Sequence, residues 1–165
     1  MDWITPEIAI GNYIDAQDGA VLRQFKSVLG LIPTLRHLRK RTMEAIAILR
    51  EALAEEHRRE IAEHEIEAIL AEVDAKRVEI VELIDGPGND PRRFRRAVET
   101  LAELVQEAPP VLVHCHAGRS RSAVVVAGYL MKARGLDPTE AVDFVDARRH
   151  VFVHDVMAAL LIDLA

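Results

Sequence analysis

The chain is predicted to fold as one α/β domain, a central and mostly parallel sheet flanked by helices. Three observations carry this expectation. Short β-branched runs alternate with helical patterns along the 165 residues, the arrangement that builds a parallel sheet covered on both faces. Half of the residues are hydrophobic, enough for a single proper core in a chain of this length. The apolar run Val111-Leu112-Val113 then leads through a glycine-containing turn into a helical pattern, the strand–loop–helix unit of such folds.

The elements follow in order. Residues 8–10 read as a short strand, 16–25 as a helix, and 27–31 as a strand ended by Pro33. Residues 76–84, KRVEIVELI, alternate and are β-branched enough for another strand. Asp85-Gly86-Pro87-Gly88-Asn89-Asp90-Pro91 is a loop by composition. Asp90 before Pro91 is an N-cap followed by proline at the first helical position, opening an amphipathic helix over 92–106. Pro109-Pro110 precede the central strand at 111–115, and the helix after it runs to about Ala133 before Gly135 stops it. Asp137 and Glu140 form the two ends of a capping box on the next helix. Residues 151–165 end in a last apolar helix.

Residues 39–74 contain no glycine or proline and are rich in Ala, Glu and Arg, so they read as one or two helices. Ile46, Leu49, Leu53, Ile66, Ile69, Leu70 and Val73 recur at helical spacing. Such a stripe usually faces a core, which makes this segment an enlarged helical flap on the sheet; a wall beside the site or a dimer surface are the other uses. His57 and His64 fall here near Glu60, but metal ligation needs a convergent third ligand, and none is expected.

The chemistry is carried by His114-Cys115-His116-Ala117-Gly118-Arg119-Ser120-Arg121-Ser122. The only cysteine stands at the end of the central strand, Gly118 permits a tight turn, and Arg121 follows six positions on at the start of a helix. Backbone amides of such a turn converge outside the helix N-terminus, where the macrodipole also favours negative charge. The amides of His116, Ala117, Gly118, Arg119, Ser120 and Arg121 are therefore the expected phosphate cradle, with the Arg121 fork on two oxygens. The same field favours an exposed Cys115 thiolate, since helix N-termini and cations depress thiol pKa values. Cys115 is thus the expected nucleophile. His114 is expected to fix the loop and sulfur by hydrogen bonding, and Ser122 to donate to the departing sulfur. A lone cysteine is more often a small buried hydrophobe; the whole arrangement in one strand–loop–helix context outweighs that reading. A nucleotide-type phosphate loop is a poor competitor, because no Gly-Lys-Ser/Thr occurs.

Residues 114–131, HCHAGRSRSAVVVAGYLM, closely resemble the signature of dual-specificity phosphatases within the cysteine-dependent protein tyrosine phosphatase superfamily. Residues 4–20, ITPEIAIGNYIDAQDGA, resemble the family's first strand and following helix, 27–31 its next core strand, and 139–160 its closing helices. Arg148 and Arg149 stand where the family has an arginine. The likeness covers most of the chain except about 39–74. It implies metal-free, cofactor-free two-step phosphoester hydrolysis and an aspartate general acid on a separate loop. Asp90 has a sufficient job as a helix cap, whereas Asp85 has none evident, sits at the strand's end and lies thirty residues before Cys115; the resemblance places the family's acid similarly, after the corresponding strand. Asp85 is therefore the expected acid and Asp90 the reserve.

The expected substrate is a phosphorylated protein or a small phosphoester. His116 and Arg119 add positive charge that would suit a polyanion such as an inositol phosphate or an RNA end, while Arg119 pointing to solvent or pairing with a carboxylate is the plainer use. With 4% aromatic residues, nothing points to a deep slot dedicated to phosphotyrosine. A net charge of −6 gives no general attraction to nucleic acid or anionic membranes. No apolar run of spanning length is present, and no secretory signal is expected. One cysteine excludes internal disulfides and an exposed thiolate needs reducing surroundings, so the cytoplasm is expected. A phosphate-binding module without turnover and a sulfurtransferase or arsenate reductase are the competing classes. An arsenate reductase lacks its resolving thiols here, and a sulfurtransferase has less use for Arg121-Ser122.

Overall fold

A computed structural model describes residues 1–32, 47, 50, 51, 66 and 76–164. Five strands form one sheet: β1 (Asp2–Thr5), β2 (Ile8–Gly11), β3 (Ser27–Gly30), β4 (Arg77–Ile80) and β5 (Val111–His114), in the order β1-β2-β5-β3-β4. The pairs β2–β5, β5–β3 and β3–β4 are parallel, and β1 lies antiparallel on β2 at one edge. The mostly parallel sheet agrees with the sequence expectation. β1 is an addition: its four residues show little periodicity before Pro6, and only Ile4 and Thr5 are buried.

Alternation along the strands divides the core in two. Ile8, Ile10, Leu29, Val111 and Val113 face four helices: α2 (Pro91–Glu107), α3 (Arg121–Arg134), α4 (Pro138–Asp146) and α5 (Asp155–Ile162). Ala9, Val28, Val78 and Leu112 face the other way, onto Leu22 of α1 (Gly19–Leu22), Phe25 and Ile66. Both faces of β5 are therefore covered, which is why its four residues are all buried and apolar up to His114.

Three boundaries differ from expectation. The helix at 16–25 divides into a 3-10 turn (Asp15–Gln17) and α1, because extended Asp18 accepts from the amides of Ala20 (2.7 Å) and Val21 (3.3 Å); a local side-chain bond of this kind competes with helix continuation. The strand at 76–84 keeps regular form only over β4, although Val81 and Leu83 still donate to Gly30 and Leu31. The last helix begins at Asp155, since Val151 donates to the Asp146 carboxylate and Phe152 to the Arg119 carbonyl. The helix caps at Asp90 and Asp137 are as expected, the latter with both halves of its box. Of residues 39–74, only four are described: Ala47, Arg50, Glu51 and Ile66 are helical, and Ile66 is buried against the sheet. The remaining apolar positions of that segment, with His57 and His64, lie outside the described residues.

Candidate active site

The end of β5 hands the chain to a turn closed at its far side by the first residue of α3. Cys115 leaves the strand, and Gly118 adopts φ +66°, a left-handed conformation that costs an L-side chain about 1–2 kcal/mol. A methyl group there would stand 2.3 Å from the Gly11 carbonyl oxygen, so only glycine lets the turn pass so close to the end of β2. The payoff is polar: the Gly118 amide donates to Cys115 Sγ at 3.2 Å.

The sulfur is not exposed, contrary to expectation. Cys115 is 1% accessible, because the turn folds over it and its side chain joins the apolar cluster of β5 and α3. It sits on the floor of the loop, under the amide that faces it.

Arg121, at the first turn of α3, is buried and reaches away from the helix toward the residues after β4. It donates through Nη1 to the Leu83 carbonyl (3.4 Å) and through Nη2 to Asp85 Oδ2 (3.3 Å). Residues thirty-six apart in sequence are thus paired at one mouth, with the Asp85 carboxylate itself half-exposed. Asp90 is elsewhere engaged, accepting from the Arg92 amide at 2.9 Å as the cap of α2. The structure therefore brings Asp85, not Asp90, to Arg121.

His114 does not act as expected. It is fully buried, and among the described residues neither ring nitrogen has a hydrogen-bond partner. Its Nε2 lies where a methyl on Gly30 would come within 3.0 Å, so the ring is held by packing. Burial lowers its pKa from 6.5 to about 4; the nearby Cys115 backbone, short of full hydrogen-bond geometry, and the Asp15 charge oppose this, and Arg121 adds to it. The ring is neutral at pH 7, as a buried base without a counter-ion should be. The Ser122 and Ser120 hydroxyls are also buried, and among the described residues neither has a hydrogen-bond partner, so Ser122 does not donate to the sulfur here.

The outer parts of the loop are exposed. His116 lies near Tyr13, ring centroids 5.9 Å apart, and its carbonyl accepts from the Tyr13 amide. Arg119 is exposed, as its plainer use required, and its Nε donates to the His150 carbonyl at 3.2 Å. Arg148 and Arg149 divide their work. Arg148 stacks over Phe144 at 3.7 Å, whereas Arg149 returns to the loop and donates to the carbonyls of Gly118 (2.5 Å) and Ala117 (3.3 Å).

Sequence reasoning missed Asn89. Its side chain accepts from the Ile84 amide (2.8 Å) and donates to the carbonyls of Ile84 (2.8 Å) and Gly86 (3.0 Å), with Met157 Sδ at 3.5 Å. It closes the turn that carries Asp85 and ties it to α5. The signal was present as an asparagine in a Gly/Pro-rich loop, where such side chains build turns.

Among the described residues no helix is long and apolar enough to cross a membrane, and no group of three or more His, Cys, Asp or Glu is placed to hold a metal ion.

The family model "Dual specificity phosphatase, catalytic domain" matches residues 72–162, which include Asp85 and the whole 114–122 loop. Dual specificity protein phosphatase 1B of Arabidopsis thaliana is 35% identical over 72 residues, 43% of each chain. The chain thus spans less than half the length of the curated relatives it matches. Among solved structures, Tk-PTP in the active form has a TM-score of 0.68 at 21% identity, over 98% of this chain and 93% of that one. PTPMT1 in complex with PI(5)P has a TM-score of 0.63 at 17% identity, over 98% and 91%. These two likenesses show the α/β fold, and the family model identifies the sequence: the chain belongs to the dual specificity phosphatase catalytic-domain family.

Proposed function

We propose that the chain is a cysteine-dependent phosphatase that hydrolyses phosphomonoesters of proteins, phosphotyrosine and/or phosphoserine/threonine, with residues 1–165 as one catalytic domain. The observation that carries this is the loop amide of Gly118 directed onto Cys115 Sγ at 3.2 Å, in a turn whose next helix presents Arg121 beside Asp85. In this reading the Cys115 thiolate attacks phosphorus in line and the ester P–O bond breaks. Protonated Asp85 gives its proton to the leaving oxygen, and the loop amides of residues 116–121 with Arg121 hold the equatorial oxygens. Water then loses a proton to the Asp85 carboxylate and attacks phosphorus, the P–S bond breaks, and inorganic phosphate and thiolate are released. The buried sulfur sets a condition: the incoming phosphate must replace Asp85 as the partner of Arg121 to reach the loop floor.

Substrates of a different kind are the second reading, since a structural relative is known with PI(5)P. A polyanion needs several free cations round the loop; Arg149 is paired with Asp2 and holds two loop carbonyls, which leaves exposed Arg119 to supply charge there, and this favours substrates with one phosphate. The single cysteine must stay a thiol for this chemistry, which supports a reducing, cytoplasmic setting. The test is turnover across phosphopeptides, phosphoinositides and nucleotide phosphates with Cys115→Ser as control. Turnover of phosphopeptides that the serine protein lacks is expected. Equal turnover by both proteins would end the proposal, and turnover confined to phosphoinositides would move it to the second reading.

A further inference from the structure

We infer that Asp2, on the edge strand β1, is a positioning residue for the phosphate loop, acting through Arg149; the inference rests on the reading of that loop as a phosphate site. The Asp2 carboxylate pairs with Nη1 of Arg149. The other two nitrogens of the same guanidinium hold consecutive loop carbonyls, Nε that of Gly118 at 2.5 Å and Nη2 that of Ala117 at 3.3 Å. All three guanidinium nitrogens are therefore used, and the side chain is largely withdrawn from water.

The consequence follows from peptide geometry. In a trans peptide the C=O and the following N–H point in opposite directions. Drawing the Ala117 carbonyl outward to Arg149 turns the Gly118 N–H inward, and that N–H is the one directed onto Cys115 Sγ. Drawing the Gly118 carbonyl outward turns the Arg119 N–H inward in the same way. Arg149 thus sets the aim of two cradle amides, and Asp2 sets the aim of Arg149. Without the carboxylate only the two carbonyl contacts remain and the arginine can swing, since a planar fork is directional and its alignment depends on all its acceptors. Asp2 reaches the loop through Arg149, and its partner across the sheet is Ile10 of β2, so it couples the outermost strand to the anion cradle.

The experiment uses the full chain with inorganic phosphate as the probe. Phosphate protection of Cys115 from iodoacetamide is read by intact mass, which is unambiguous in a protein with one cysteine. It is accompanied by kcat and KM for an aryl phosphate and by a thermal melt. Asp2→Ala is expected to weaken phosphate protection on the order of tenfold and to raise KM in step. Asp2→Asn, which keeps an acceptor oxygen, is expected to lie between, and Asp2→Glu to recover most of the loss. A purely structural role would lower the melting temperature while leaving the folded protein's phosphate protection unchanged. Equal protection in Asp2→Ala and the unsubstituted protein overturns this inference alone. Absence of phosphate protection in the unsubstituted protein overturns the site reading and this inference together.

Discussion

Acidification isolates the burial of His114. The ring has no accessible surface and no hydrogen-bond partner among the described residues, and its pKa is about 4 against 6.5 unfolded. A base whose folded value is depressed binds more protons when unfolded, so its stabilisation is complete above pH 6.5 and is lost as pH falls toward about 4. At 1.36 kcal/mol per pH unit, the gap corresponds to about 3 kcal/mol, a large share of the roughly 5–15 kcal/mol that holds a domain together. All other titratable groups are common to the unsubstituted protein and a His114 variant. The assay is therefore the difference in urea-unfolding free energy between the unsubstituted protein and His114→Gln at each pH, in which their contributions cancel. That difference is expected to narrow by about 3 kcal/mol between pH 7 and pH 4. An NMR titration should show no His114 protonation near 6.5. A pH-independent difference, or a histidine Cε1 resonance from His114 titrating near 6.5, would refute the argument.

Other outcomes follow from the same geometry. Gly118→Ala should cost at least roughly 2 kcal/mol in urea unfolding and abolish phosphate binding, because its methyl meets the Gly11 backbone oxygen; a stable, phosphate-binding alanine protein would contradict this. Asp85→Asn should lower kcat about 10²–10⁴-fold for esters with poor leaving groups and far less for activated aryl phosphates, while Asp90→Ala should cost about 1 kcal/mol of stability with kcat nearly intact. The reverse pattern would transfer the acid to Asp90. Asn89→Ala should loosen the turn that carries Asp85 and lower kcat for poor leaving groups with little change in phosphate inhibition; unchanged kcat would show that the turn holds without it.

Much of the fold was legible because both of its periodicities are strong. Ile8-Ala9-Ile10 and Val111-Leu112-Val113 are apolar on both faces, the pattern of parallel strands buried on both sides. The caps at Asp90 and Asp137 combine a polar side chain with a following proline, local chemistry that needs no tertiary context. β1 was not legible, since an edge strand with one buried end carries almost no pattern. In the site, the order of residues 114–122 revealed the loop, and loop composition found the segment with Asp85. What the sequence could not show was direction. That Cys115 lies under the loop, that His114 is packed and neutral, and that Ser122 has no partner among the described residues all depend on how the turn folds over β5. Arg119 and Arg149 hold backbone carbonyls, which leave no trace in residue identity, and the pairing of Arg149 with Asp2 joins residues 147 apart.

The most direct test of the account is to trap the phosphoryl group on its acceptor. The Asp85→Asn protein, slowed in the step that uses water, is mixed with an aryl phosphate, quenched in acid within milliseconds and mapped by mass spectrometry. One phosphoryl group is expected on the peptide that contains Cys115, at the sulfur, and none in the Cys115→Ser protein. A phosphoryl group on His116 or another side chain, or steady turnover with no covalent species at any quench time, would contradict it.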